Sequence, residues 1–179
     1  KWLDDAVLDL ALRDDRGAGA APWTLGRAEV VVALASLAHS GLLAKRDAGL
    51  FTRAGLLNAL RASPRCAQHA SAAAALFLAR FAPGGDGLSD DAFAAASAKL
   101  RAEIERDFSG VDVVAHALLH ALVDLVAATH RTNYYLEGRW ALALRVAPGA
   151  LAPPASAAEA APRPFGVFFV HGRRVNALH

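Results

Sequence analysis

Apolar residues recur at spacings of three and four along most of this chain of 179 residues, then switch near Asn133 to a spacing of two. The first rhythm belongs to amphipathic helices and the second to half-buried strands. Trp2, Leu3, Ala6, Val7 and Leu10 predict a first helix, which RGAGAAPW breaks with glycines and a proline. Thr24 is suited to cap a second helix through VVVALASLAHSGL, with a stop near Gly41. A third is expected from Asp47 to Leu60, ended at Ser63-Pro64 because proline disfavours helix in the residue before it. The Ala-rich CAQHASAAAALFLARF predicts a fourth, closed by APGGDG. Ser89 opens a fifth, which carries Asp90 and Asp91 at the positive end of the helix dipole and reaches Phe108. Val111, Val114, Leu118, Leu122, Leu125 and Thr129 then step by three or four, the core-facing stripe of a sixth.

Beyond Asn133, Trp140, Leu142, Leu144 and Val146 alternate with Ala141, Ala143 and Arg145, which predicts a strand. APGALAPPASAAEAAPRP is too poor in large apolar residues to hold a core and reads as a loop. FGVFFVHG, aromatic and β-branched, predicts a second strand. The expected class is therefore mainly α: a helical module over 1–133, then over 134–179 the first two strands of an α/β catalytic domain. Two strands alone are marginal in water. The chain opens inside a helical pattern, holds no Met and stops just after an alternating run, so a portion of a longer polypeptide is expected.

Composition narrows the partners. Hydrophobic residues make up 55% of the chain, so its helices can bury a sizeable core. The net charge of +2 is small, and the densest basic pairs, Lys45–Arg46 and Arg173–Arg174, are too short to track a phosphate backbone. No nucleic-acid partner is expected. Apolar runs such as Val30 to Leu37 fall short of the roughly 20 residues of a membrane helix, so no membrane partner is expected either. Cys66 is the single cysteine, which rules out an intramolecular disulfide and a cysteine-based zinc site.

Candidate chemistry is sparse. His116, His120 and Asp124 fall at i, i+4 and i+8 along one side of the sixth helix, and two histidines so spaced can share a metal. A zincin helix places Glu directly after the first His, where this chain has Ala117, and no third ligand presents itself. The expectation is a polar flank, with His120 and Asp124 as an i, i+4 pair. A metal-binding helical hydrolase on His116 and His120 is the reading that flank competes with. Gly17–Gly19 and Pro83–Gly87 lie between helices and lack the spacing of a phosphate loop. Cys66 has Arg65 beside it and His69 three residues on, but no third group for a catalytic dyad. Asp4, Asp5, Asp9, Asp14 and Asp15 suit a solvated helix face and its loop. No catalytic, cofactor-binding or metal residue is assigned from the sequence.

THRTNYY, residues 129–135, marks the change of period. Asn133 suits a left-handed helix end, His130 and Arg131 suit the negative end of the dipole, and Tyr134 and Tyr135 are expected to cover the end of the helical core. This stretch also carries a resemblance. Arg131, Thr132, Asn133, Tyr134 and Tyr135, then the strand of Ala141 to Pro148, then a loop and the aromatic RPFGVFFVHGRRVNALH, resemble the opening of the catalytic region of the large NAD-specific glutamate dehydrogenases. The form FGVFFVHG is closer to the eukaryotic, fungal-like members than to the largest bacterial ones. The resemblance extends back through the helices to about Leu76, where LARF precedes an acidic-start helix, and departs from the family in the long Ala/Pro insertion after Leu151.

The resemblance implies oxidative deamination of L-glutamate by NAD and water to 2-oxoglutarate, ammonium and NADH, in a homo-oligomer in the mitochondrion or cytoplasm. In the family the Gly-rich segment, the catalytic lysine and the Rossmann-type NAD domain lie downstream of the matched region. NAD and glutamate are therefore expected to bind the rest of that chain, and this portion alone to bind neither. The alternative is a non-enzymatic helical protein-interaction module.

Overall fold

The computed structural model describes residues 24–151, 166–172 and 175–178. The expected first helix, its acidic cluster and Gly17–Gly19 lie outside the described residues, as does most of the Ala/Pro-rich loop. The described chain is mainly helical, with a small antiparallel sheet at its C-terminal end.

Helix α1, Leu25–Ala38, is apolar on nearly every side, and Val30, Val31, Val32, Ala33 and Leu34 are all buried. A helix of that kind belongs in the middle of a core. The segment Gly26–Arg46, with mean hydropathy 1.3, is long and apolar enough to cross a membrane, yet 67% of its apolar window is buried inside the fold. The expected stop near Gly41 does not occur. The chain continues through a π-helical turn, His39–Leu43, and a last α-turn to Arg46. Glycine serves there by being small: a Cβ at Gly41 would meet Leu151 Cδ2 at 2.8 Å.

Helix α2 begins later than expected, at Arg53–Ala62, because Asp47 accepts from the amides of Gly49 and Leu50 and holds those residues in a turn. Thr52 then caps it. Ser63-Pro64 both ends α2 and starts α3, Pro64–Arg80, with Ser63 as cap and Pro64 in the first turn. Pro83–Gly85 form a short 3-10 turn in which Gly84 and Gly85 take positive φ. Ser89 caps α4, Asp90–Phe108, as its sequence predicts. Asp112 caps α5, Val113–Ala128, by accepting from the amides of Val114 and Ala115. Each such cap contributes about 1 kcal/mol. Val111 falls before α5 and is exposed, whereas Leu118, Leu122 and Leu125 line the core.

The change of period comes four residues earlier than the sequence suggested. Thr129 closes α5 by donating its hydroxyl to Leu125 O, and Thr129–Thr132 is already strand β1. Strands β2 (Ala141–Val146), β3 (Val167–Gly172) and β4 (Val175–Leu178) follow, all antiparallel in the order β1-β2-β3-β4. The alternation of Leu142, Leu144 and Val146 is real, and they face inward together with Phe169. Trp140 lies outside the strand at 96% exposure. The inward sheet residues and the helices share one hydrophobic core, which runs across residues 133 and 134.

Asn133 is not left-handed, since no non-glycine residue among those described has positive φ. Its side chain instead donates to Ala141 O and accepts from the Ala143 amide, bridging β1 to β2. Tyr134 and Tyr135 cover the core end as expected: Tyr134 meets Phe77 edge-on, and the Tyr135 hydroxyl donates to Leu78 O.

Candidate functional site: histidines and carboxylates around helix α4

Helix α4 packs against both α3 and α5, and its last turns carry Glu105 and Asp107, two carboxylates that meet different neighbours. Residues at i and i+2 point to nearly opposite sides of a helix. Glu105 therefore faces α5 and Asp107 faces α3, with Ile104 between them in the core.

On the α5 side, His116 Nε2 lies 2.7 Å and His120 Nε2 3.2 Å from the same oxygen of Glu105, Oε2. The two imidazoles are one turn apart, with ring centroids separated by 4.6 Å. One ligand-capable atom from each of the three residues lies within 4.8 Å of the other two. Each side chain is partly open, at 56%, 31% and 27% exposure for Glu105, His116 and His120. The hydrogen bond from His116, and then one from Ser109, hold the Glu105 carboxyl below its ordinary range. The opposite wall of this groove is the π-helical turn after α1, with Leu42 and Leu43, followed by Lys45 and Arg46.

The sequence brought His116 and His120 to one face and left the third ligand blank. Glu105, from a different helix and eleven residues earlier, is the side chain that meets both. The expected partner of His120 does not pair with it: Asp124 forms an ion pair with Arg101 at 2.5 Å. An arginine on the neighbouring helix out-competes a histidine one turn away because its charge is permanent.

On the α3 side, His69 Nε2 lies 2.9 Å from Asp107 Oδ2, and its ring meets Phe108 edge-on. Arg106 donates to Asp107 Oδ1 at 2.9 Å, and Arg65 approaches at 3.8 Å. The Arg106 hydrogen bond, then that of His69, hold the Asp107 carboxyl down to about 2. Cys66 is buried, and that burial, followed by the charge of Asp112, pushes its thiol up to about 12. A group so reluctant to ionise is not a nucleophile near neutral pH, and His69 is turned to Asp107.

No family model, no curated protein and no solved structure matches this chain. Its chemistry has to be read from its own residues. Among those described, the Glu105–His116–His120 group alone brings together three side chains that could hold a metal ion.

Proposed function

We propose that this chain is a non-catalytic part of a large NAD-specific glutamate dehydrogenase: its helical region and the joint through which that region passes into the catalytic domain. The observation that carries the reading is the ordered run of Arg131, Thr132, Asn133, Tyr134 and Tyr135, then the strand of Ala141–Val146, then the aromatic strand of Val167–Gly172, which follows the family's order of elements.

The build of the joint supports it. Asn133 ties β1 to β2, and Arg139 meets Glu29 of α1 through two contacts of 2.6 Å while stacking over Tyr134. Tyr134 also lies so close to Gly26 that any larger residue there would collide with its hydroxyl. Arg80, at the end of α3, donates to the carbonyls of Val126 and Ala127, the last turn of α5. These contacts fix the angle between helices and sheet, which is what a rigid connection to a catalytic domain requires. The outer face of the sheet carries Ala141, Ala143, Val170 and the half-exposed Phe168, which lies opposite Arg145, with exposed Trp140 and Leu136 beside it. The exposed aromatics on and beside this face, Phe168 and Trp140, support a reading in which further protein covers it.

In this reading the whole enzyme oxidises L-glutamate with NAD and releases 2-oxoglutarate and ammonium. NAD, glutamate and the catalytic lysine belong to the region that follows the joint in the family, and the helices serve assembly with the rest of the chain and within a homo-oligomer. The same exposed aromatic face would also suit a helical interaction module without enzymatic activity.

Reading the coding sequence beyond His179 and assaying the longer product separates the two. The dehydrogenase reading expects NADH oxidation that needs 2-oxoglutarate and ammonium together in the longer protein, and no NADH-dependent thermal shift in the chain of 179 residues. A stop codon directly after His179, or a longer protein without that activity, rejects it.

A further inference from the structure

We propose that Glu105, His116 and His120 form a binding site for one divalent transition-metal ion, zinc being the ion their chemistry fits best. This inference stands apart from the dehydrogenase reading. Two imidazole nitrogens and one carboxylate oxygen form a ligand set of the kind that zinc takes in sites with an open fourth position, and nitrogen ligands disfavour calcium and magnesium.

The three ligand atoms already lie within 4.8 Å of one another, within reach of one ion after side-chain adjustment. Ligand atoms around a tetrahedral zinc stand about 3.3 Å apart, as bond lengths near 2.0–2.1 Å require. The contact of His120 to Glu105 Oε2, at 3.2 Å, matches that value, and that of His116, at 2.7 Å, would have to lengthen as the ion enters. Both histidines present the same atom, Nε2, to the carboxylate. To accept a metal, each neutral ring need only carry its proton on Nδ1, which frees the Nε2 lone pair without turning the ring. The i, i+4 spacing on α5 sets both nitrogens on one side of the helix. The ligands are pre-organised by two packed helices rather than a loop, which lowers the ordering cost of binding.

Charge also favours the site. Among the described residues no arginine or lysine pairs with Glu105, so its carboxylate is not already neutralised by a permanent cation. Asp107, two residues on, is paired with Arg106 and Arg65 and is thereby unsuited to the same role. His116 and His120 also line the groove walled by Leu42, Leu43, Lys45 and Arg46. The two basic residues oppose a bare cation there but suit a metal whose fourth ligand is hydroxide or another small anion.

Chelator-treated protein titrated with Zn²⁺ by calorimetry tests the proposal, with Co²⁺ as a spectroscopic probe of ligand geometry. One equivalent of Zn²⁺ is expected to bind saturably, and Co²⁺ to give the intense visible bands of a four-coordinate site. His116→Ala and His120→Ala should each weaken Zn²⁺ by at least about 100-fold, since each removes one of three protein ligands. Glu105→Gln should do the same while circular dichroism shows the helices intact. Two results overturn the proposal: the absence of stoichiometric binding, or one-to-one binding that survives in the His116→Ala/His120→Ala double variant. If an alanine variant unfolds, His120→Gln replaces it, because glutamine retains the size and polarity of the side chain but offers no ring nitrogen.

Discussion

Helix α4 holds two carboxylates two residues apart, and the fold gives them different company. Asp107 is enclosed by Arg106, Arg65 and His69, so its charge is met by permanent cations and it acts as a strut between α3 and α4. Glu105 meets two histidines, which can give up a proton and offer a lone pair instead. The contrast teaches that a carboxylate beside a histidine is not yet a site. What decides its role is whether the remaining partners carry a charge that cannot be removed.

The comparison depends on one shared scaffold, and Ile104→Ala is the hardest blow to it. Ile104 is fully buried on α4 between the two carboxylates. Its truncation is expected to cost about 2–5 kcal/mol, by lost burial and the cavity left behind. Urea unfolding should register that loss. Both clusters should loosen together, so Zn²⁺ affinity falls along with stability. If the fold weakens and zinc binding does not, the two clusters are not coupled through α4.

The exchange of roles comes next. Glu105→Gln should remove the zinc-dependent rise in the thermal midpoint, through the same loss of at least about 100-fold in affinity. It should change little in the metal-free protein, because Glu105 is well exposed. Asp107→Asn should do the reverse, lowering the midpoint by several degrees while the zinc response persists. Thermal unfolding of both variants with and without Zn²⁺ reads the two effects in one experiment. A zinc response lost equally in both would erase the distinction between strut and ligand.

Much of this architecture was legible from spacing alone. The caps at Thr24 and Ser89, the helix end at Ser63-Pro64 and the strand alternation at Leu142, Leu144 and Val146 follow from local chemistry that neighbours in sequence decide. What sequence reasoning missed are long-range choices. The helix does not stop at Gly41, where the glycine instead makes room for Leu151, more than a hundred residues on. Asn133 leaves the helix-capping role because Ala141 and Ala143 offer it two hydrogen bonds across a turn. Glu105 could not be picked out among the acids of α4, since only the packing of α4 on α5 sets it against His116 and His120.

Acid separates the carboxylates by degree. Both are more acidic in the folded chain than their ordinary values, so each contributes stability at higher pH that is lost as pH falls. For Asp107 the loss runs from its ordinary 3.8 down to about 2. Asp107→Asn should therefore flatten the fall in stability across that window, as urea unfolding at about pH 5 and about pH 2.5 would show. Glu105→Gln should flatten it less, because the carboxyl of Glu105 is hydrogen-bonded by His116 and Ser109 and, among the described residues, by no arginine. Equal flattening by the two variants would mean that permanent cations are not what distinguishes them.

The smallest effect at neutral pH concerns Cys66, one turn before His69 on the strut side of α4. Burial, then the charge of Asp112, raises its thiol from 9.0 to about 12. The sign follows: the folded chain keeps a proton that the unfolded chain gives up, so stability is whole below pH 9.0 and declines toward about 12. Cys66→Ala should cost about 1 kcal/mol at neutral pH, in keeping with one small buried group. It should also remove the alkaline decline that belongs to this thiol. In the wild-type chain, labelling by a thiol reagent should proceed only as fast as unfolding exposes the sulfur, and it should slow when zinc stabilises the fold. Fast labelling of the folded protein, unaffected by zinc, would place a thiolate within reach of solvent. The strut side would then hold reactive chemistry of its own, and the contrast between the two faces of α4 would have to be redrawn.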